Sequence, residues 1–552
     1  QTCAAEKRRR RKRGTFPDPA KRMFINDRVC EGCGDCSKKS NCVAVLPTET
    51  EFGRKRKIDQ SACNKDYSCN NGFCPSFVTV LGGDMRKGTA VEGASPDLFN
   101  LPEPVIANIP SGGTYGVLSG GVGGTGVITV GALIGMAAHI DKKGVSIVDQ
   151  MGFAQKGGAV LTHTRIANKP DDINSARINA ASADLVLGYD MLTIASDAVL
   201  DTFSKRRTTA VINTNKAITG DFTRDPDLQY PSDNVKDRLI SVLDSEKTTY
   251  LNASDLAVKL LGNSIGANLL LLGFTWQKGL VPLSKTSIYQ AIELNGVSPK
   301  WNQTAFEWGR CVAHDLDAVI EIANRNSGSQ IEFPKTLEQL IEHRTTELTL
   351  YQDSKYAQRY LSMVDATKTA ESSLDKKNEL SMAVARYGYK LMAYKDEYEV
   401  GRLYSDPEFK RKLNAEFEGD FKLQFNLSPP SIAPKDKVSG LPKKMTFGPW
   451  VLPLFRVLSK LKLLRGTAFD VFGKSSERKM ERQLIVDYEE TIKTVCSSLN
   501  NDNYPLAVQI ASLPEKIRGY GHVKEASVTE YHLQLEKMLD AYSKIISLQA
   551  GA

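Results

Sequence analysis

The 552-residue sequence predicts an α/β plus α+β chain, and three observations carry that reading. Seven of the ten cysteines lie between Cys30 and Cys74, in two copies of one pattern. Apolar strand-like runs then alternate with helical ones from about residue 111, which indicates a doubly wound parallel α/β sheet. From about residue 335 the apolar spacing settles near 3.6, which indicates a mainly α-helical C-terminal domain. The expected segments are therefore 1–20, a basic junction; 21–85, the cysteine module; 86–110, a linker; 111–334, the α/β domain; and 335–552, the helical domain. At about 150 residues per domain, a chain of this length can build several hydrophobic cores.

The formal net charge of +8 belongs largely to one block, Lys7, Arg8, Arg9, Arg10, Arg11, Lys12 and Arg13, and not to a basic fold. No apolar run approaches the roughly 18–20 residues of a membrane span, and no apolar signal core follows the basic block. The expected location is cytoplasmic. The sequence opens on Gln1 and its first methionine is Met23, as expected of a processed product or a fragment. Clustered thiols in a large chain of this class are better used for metal than for disulfides. Cys3, Cys311 and Cys496 stand alone and receive no role.

Setting residue 25 over residue 58 aligns INDRVCEGCGDC (25–36) with IDQSACNKDYSC (58–69) at an offset of 33, without gaps. Cys30 falls on Cys63, Cys36 on Cys69, and Cys33 on Asp66. Cys42 and Cys74 follow one residue out of register, each leading into a short apolar run, VAVL (43–46) and FVTV (77–80). A doubled C-x-x-C-x-x-C with a remote cysteine is the build of a two-cluster ferredoxin-like module, in which each loop takes its fourth ligand from the other copy. Applied here, Cys30, Cys33, Cys36 and Cys74 hold one [4Fe-4S] cluster. Cys63, Cys69 and Cys42 hold a second, with Asp66 facing its fourth corner. A carboxylate is a harder ligand than thiolate, so that cluster is either four-iron with an oxygen ligand or three-iron with an empty corner. The alternatives are a degenerate second site with Asp66 on the surface, and zinc, which prefers paired knuckles of four ligands. Pro75 after Cys74 suits iron-sulfur ligation. The run Arg54, Lys55, Arg56, Lys57 is either a docking surface for an acidic electron carrier or a solvated loop.

Residues 115–119 read as a buried strand, Gly121, Gly123 and Gly126 give G-x-G-x-x-G, and a helix is expected over 125–142. A strand at 145–148 then ends in Asp149, the sequence context of a Rossmann-like dinucleotide loop. Gly121, Gly123, Gly124 and Gly126, with the later pair Gly157 and Gly158, are candidate cofactor-binding positions. Amides at the helix start favour an anion. The sheet continues through runs at 183–190 and 208–214, and helices are expected at 267–274 and 287–294. In the last third, WVLPLFRVLSKLKLLRG (450–466) mixes leucine with basic residues. Packing on the neighbouring domain is the expected use, with a membrane-surface helix as the alternative. The six histidines fall singly, without zinc spacing, and no catalytic residue is identified.

The order of parts resembles one family. CEGCGDCSKKSNC and CNKDYSCNNGFCPSF, then SGGVGGTGVITVGALIG and QMGFAQKGGAV, then a helical extension, is similar to the C-terminal half of fused indolepyruvate ferredoxin oxidoreductases. QTCAAEKRRRRKRG (1–14) resembles that family's junction between its thiamine-binding region and ferredoxin module, which argues against a nucleic-acid tail. The resemblance implies a gamma domain over the glycine loops, whose ligand need not be a nicotinamide. It implies oxidative decarboxylation of an aryl pyruvate on thiamine diphosphate, with electrons passed through the clusters to ferredoxin, in a homo-oligomer. No G-D-G occurs in this sequence, so thiamine diphosphate and Mg are expected on a complementary portion. The alternative readings are a NAD- or flavin-dependent iron-sulfur subunit and a scaffold that only relays electrons.

Overall fold

The computed structural model describes residues 3–12, 14–86, 95–152, 158–217, 220–325, 333–374, 376–429, 433–437 and 440–550. The chain divides into two compact units, one of Gln1–Arg86, Phe222–Pro226 and Ile331–Ala552, the other of Lys87–Asp221 and Asp227–Gln330.

In the first unit the basic block is a helix, Ala4–Lys12, followed by strands β1 (Lys21–Ile25), β2 (Val45–Thr50), β3 (Gly53–Ile58) and β4 (Phe77–Met85). The duplication is visible in the pairing. β1 lies antiparallel to β4, and β2 antiparallel to β3, so each copy's first strand pairs with the other copy's last. Equivalent backbone bonds close both halves: Asn26 N–H donates to Ser76 O at 2.9 Å, and Asp59 N–H to Ala44 O at 2.8 Å.

The second unit is built on a six-stranded sheet of β5 (Thr114–Val122), β6 (Gly144–Met151), β7 (Ala159–Ala167), β8 (Leu185–Gly188), β9 (Thr209–Asn213) and β10 (Thr248–Leu251). Its order is β10-β9-β8-β5-β7-β6. Adjacent residues of the central strands face opposite cores, Val117, Leu185 and Val211 on one side and Leu118, Val186 and Ile212 on the other. That is the pattern of a sheet covered by helices on both faces. Val127–Ile140, Ala267–Gln277 and Pro299–His314 supply one layer, and Ser232–Val242 belongs to the other. The helices expected at 267–274 and 287–294 are present as Ala267–Gln277 and Lys285–Asn295.

The sheet is not wholly parallel, which corrects the sequence reading. β8, β9 and β10 run parallel in line with β5, but β7 pairs antiparallel with both β5 and β6. A short connection follows β6, and a short link permits an antiparallel hairpin where a parallel neighbour needs a crossover of a dozen residues.

The C-terminal region returns to the first unit, and it is not all helical. β11 (Phe417–Leu427) pairs antiparallel with β4, and β12 (Met445–Phe447) with β11, giving the order β1-β4-β11-β12. Thus the segments expected separately at 21–85 and 335–552 lie within one unit. Phe24, Phe409, Phe417 and Phe425 are buried together with Tyr404 and Phe455. Tyr404 stacks on Phe455 with ring centroids 5.3 Å apart. Phe455 belongs to the helix Val451–Lys460, whose Val451 is buried with it while Trp450, Leu454 and Val457 stay exposed. Among the described residues no helix is long and apolar enough to cross a membrane.

Candidate functional site

The two cysteine loops follow one backbone path. In the first, Gly32 and Gly34 are left-handed, at φ 72° and 77°; in the second, Lys65 and Tyr67 occupy the equivalent places at φ 50° and 61°. A left-handed conformation is easy for glycine and strained for lysine or tyrosine, so the second loop keeps it against local preference. Gly32 N–H points at Cys30 Sγ at 3.4 Å, and Lys65 N–H at Cys63 Sγ at 3.4 Å. A one-turn helix follows each loop, Asp35–Ser40 and Ser68–Asn71. Such loops turn successive side chains toward one centre.

Cys30, Cys33, Cys36 and Cys74 line one pocket, closed by Ile25, Phe77, Gly34, Gly72 and Arg56. A Cβ on Gly72 would stand 2.7 Å from Cys36 Cα, so only glycine lets the second copy approach this closely. Burial, and then Cys74 nearby, push the Cys33 thiol up to about 12. The same two causes raise Cys30 and Cys36. Cys69 is pushed up to about 12 by burial and then by Cys63, Cys42 and Asp66. The fold therefore gathers the cysteines across the copies in two groups. Asp66 is exposed and within electrostatic reach of Cys69. Buried thiols crowded in this way ionise when a metal takes their protons' place. Among the described residues no three His, Cys, Asp or Glu side chains close around a point that would hold a single ion.

The surroundings of these groups were only partly legible in the sequence. Lys55 and Arg56 are buried within β3, at 5% and 1% exposure, so the 54–57 run is a strand and not a solvated loop, and of its four cations Lys57 alone is exposed. Arg54 pairs with Glu49 at 2.7 Å. The basic helix reaches the second loop, with Arg8 Nη2 on Ser61 O at 2.6 Å and Arg11 Nη1 on Asn64 O at 2.7 Å, either side of Cys63. Two C-terminal tyrosines brace the first group: Tyr520 donates to Val29 O beside Cys30, and Tyr404 to Pro75 O beside Cys74. No local pattern marks them, because the partners lie hundreds of residues away. Glu31 is buried. Burial alone would raise its carboxyl, but Lys395, Lys55 and Lys524 hold it well below the usual range.

In the second unit the glycine loop lies at the end of β5. Gly121 is the penultimate residue of that strand, where a Cβ would press on Tyr189 and Val127 at 2.9 Å. Gly123 N–H donates to Gly158 O at 2.7 Å, so the two glycine segments meet. Gly124 is exposed, and Gly126, at φ 100°, begins the helix Val127–Ile140 without a side-chain cap. Gly157 lies outside the described residues. Asp149 stands on β6, separated from β5 by β7, and accepts from Thr162 Oγ1 at 2.6 Å. A dinucleotide fold carries that acid on the parallel neighbour of the glycine strand, so the Asp149 part of the fingerprint is not met.

Residues 116–307 match the family described as pyruvate ferredoxin/flavodoxin oxidoreductase. Residues 337–537 match a family of unknown function. The indolepyruvate oxidoreductase subunit IorB of Pyrococcus horikoshii is 27% identical over 206 residues, covering 37% of this chain and 97% of that protein. The subunit of the same name from Methanothermobacter thermautotrophicus is 28% identical over 183 residues, 33% of this chain and 87% of its own length. Among solved structures, pyruvate oxidoreductase subunit PORC of Thermotoga maritima is similar with 19% identity and a TM-score of 0.26, covering 37% of this chain and 96% of its own. The gamma subunit of a keto/oxoacid ferredoxin oxidoreductase from Geobacter sulfurreducens has 20% identity and a TM-score of 0.26, with coverage of 36% and 98%.

Proposed function

We propose, from the premise that residues 116–307 are the gamma-type region of a 2-oxoacid oxidoreductase, that this chain is the electron-transfer and accessory portion of an aryl pyruvate:ferredoxin oxidoreductase. Indolepyruvate is the expected substrate class, after the subunits it resembles. The observation that carries the electron-transfer part is the cross-paired duplication, which draws Cys74 to Cys30, Cys33 and Cys36, and Cys42 to Cys63 and Cys69.

Soft thiols that line one pocket without closing around a single point fit a multi-iron body better than zinc, which takes a compact tetrahedral set. Cys30, Cys33, Cys36 and Cys74 would hold one cluster; Cys63, Cys69 and Cys42, with Asp66 at the remaining corner, would hold the other. Clusters bound there supply one-electron storage and transfer. The protein's own part is to exclude water through Ile25 and Phe77, to aim backbone N–H groups at Cys30 and Cys63, and to fix both loops through Tyr404, Tyr520, Arg8 and Arg11. Thiamine diphosphate and Mg are assigned to a complementary portion, ferredoxin is the assigned acceptor, and the Gly121–Gly126 loop is not assigned a nicotinamide.

The test is reconstitution. Mixed anaerobically with a thiamine diphosphate-binding portion of such an enzyme, the chain should support aryl pyruvate-dependent ferredoxin reduction that neither part gives alone. Retention of NAD or flavin, with no dependence on the thiamine portion, would favour the dinucleotide reading instead.

A further inference from the structure

Two cations sit against the sulfur groups, and among the described residues neither is in salt-bridge contact with a carboxylate. Arg56 is 1% exposed and lines the pocket of Cys30, Cys33, Cys36 and Cys74. Its Nη2 donates to Pro226 O at 3.1 Å and its Nη1 to Lys55 O at 3.3 Å, while its guanidinium lies 4.6 Å from the centre of the Phe222 ring. Its Nε has no hydrogen-bond partner. Lys444 arrives from the other end of the sequence, immediately before β12. Its Nζ donates to Asn70 O at 3.0 Å, one residue from Cys69, and lies 5.0 Å from the centre of the Phe77 ring, which helps line the first pocket. Its charge is felt at Cys74 and Cys36 of the first group and at Cys69 of the second. Among the described residues neither Arg56 nor Lys444 forms a salt bridge with a carboxylate.

Arg56 is buried and Lys444 half-buried, and a cation withdrawn from water is ordinarily paired with negative charge. Here the groups able to carry negative charge that act on Arg56 are Cys30, Cys36 and Cys33, and those that act on Lys444 are Cys74, Cys36 and Cys69, ahead of Asp35. A cluster gains negative charge on reduction, and in a low-dielectric site a nearby cation or N–H donor stabilises the reduced form more than the oxidised. Arg56 offers both a charge and an unused N–H to the first group. Lys444 offers charge to both.

We propose that Arg56 and Lys444 are positioning residues that set the electron affinity of the two cysteine sites, Arg56 acting on the first and Lys444 on both. The inference rests on the iron-sulfur reading above, and its test separates the two. The full chain, prepared anaerobically, is titrated potentiometrically with EPR detection as wild type, Arg56→Gln, Arg56→Lys, Lys444→Gln and Lys444→Arg. Iron and sulfide are counted on the same samples.

Arg56→Gln should make one cluster at least tenfold harder to reduce at the wild-type midpoint, which is ~59 mV for a one-electron couple, and leave the other in place. Lys444→Gln should lower both. The charge-conserving Arg56→Lys and Lys444→Arg should lie nearer wild type than the glutamine variants. Unchanged potentials in variants with full iron and sulfide overturn the inference and leave the iron-sulfur reading standing. Iron and sulfide absent from the wild type overturn the reading itself. If Arg56→Gln loses iron, Lys444→Gln decides alone: two shifted potentials support the inference, and none overturns it.

Discussion

At the scale of single residues, the second cysteine loop is the sharpest case. Lys65 and Tyr67 hold the left-handed conformations that Gly32 and Gly34 hold in the first copy, so the path is kept although the residue types have changed. Asp66 stands where the first copy has Cys33. Restoring sulfur there by Asp66→Cys should bring iron to eight per chain and abolish any three-iron EPR signal, since thiolate holds iron more firmly than carboxylate in a sulfide-rich site. A three-iron signal that persists in Asp66→Cys, with iron still at seven per chain, would place Asp66 outside the ligand set.

Glu416, next to β11, gives a pH dependence. Burial raises its carboxyl to about 7, against a hydrogen bond from Gln60 that lowers it. A raised folded value means that the fold prefers the protonated acid. Its stabilising contribution is full below about pH 4.5, the unfolded value, and is lost as pH rises through about 7. Glu416→Gln should flatten the stability profile across that window, read by chemical denaturation at a series of pH values.

At the scale of elements, β11 is the piece whose place no local pattern announced. A strand in a region expected to be helical extends the cysteine module's own sheet, and Phe425, 0% exposed, joins it to the aromatic cluster of Phe24, Tyr404 and Phe455. Phe425→Ala should cost about 3–5 kcal/mol and show as a lowered unfolding midpoint. The basic helix is a second such element. Seven cationic residues in a row read as a junction, yet Arg8 and Arg11 hold carbonyls on both sides of Cys63. The double variant Arg8→Ala, Arg11→Ala should loosen the second loop selectively, seen as faster loss of iron from one of the two sites on exposure to a chelator.

At the scale of the whole chain, what was legible in the sequence was periodic or repeated. The duplication at an offset of 33 located both cysteine loops, and the strand-glycine-helix run at 115–142 located the start of the second sheet. What was missed depended on partners distant in sequence. The antiparallel β7 follows from how β6 and β7 connect, and apolar periodicity is blind to strand direction. The burial of Lys55 and Arg56 arises because charged letters on a strand do not reveal what covers them. Tyr404, Lys444 and Tyr520 reach the cysteine loops from beyond residue 400 and carry no motif. The same distance makes a prediction. Residues 1–86 expressed alone should bind less iron, and lose it faster, than the full chain, because the sheet edge at β4 would be uncovered and both tyrosine braces lost.

The most direct test of the central claim is iron and acid-labile sulfide content, with low-temperature EPR, of the anaerobically purified chain. The account predicts seven or eight irons with matching sulfide per chain, and spectra of two interacting clusters after reduction. A colourless protein carrying zinc, with no labile sulfide, would contradict it.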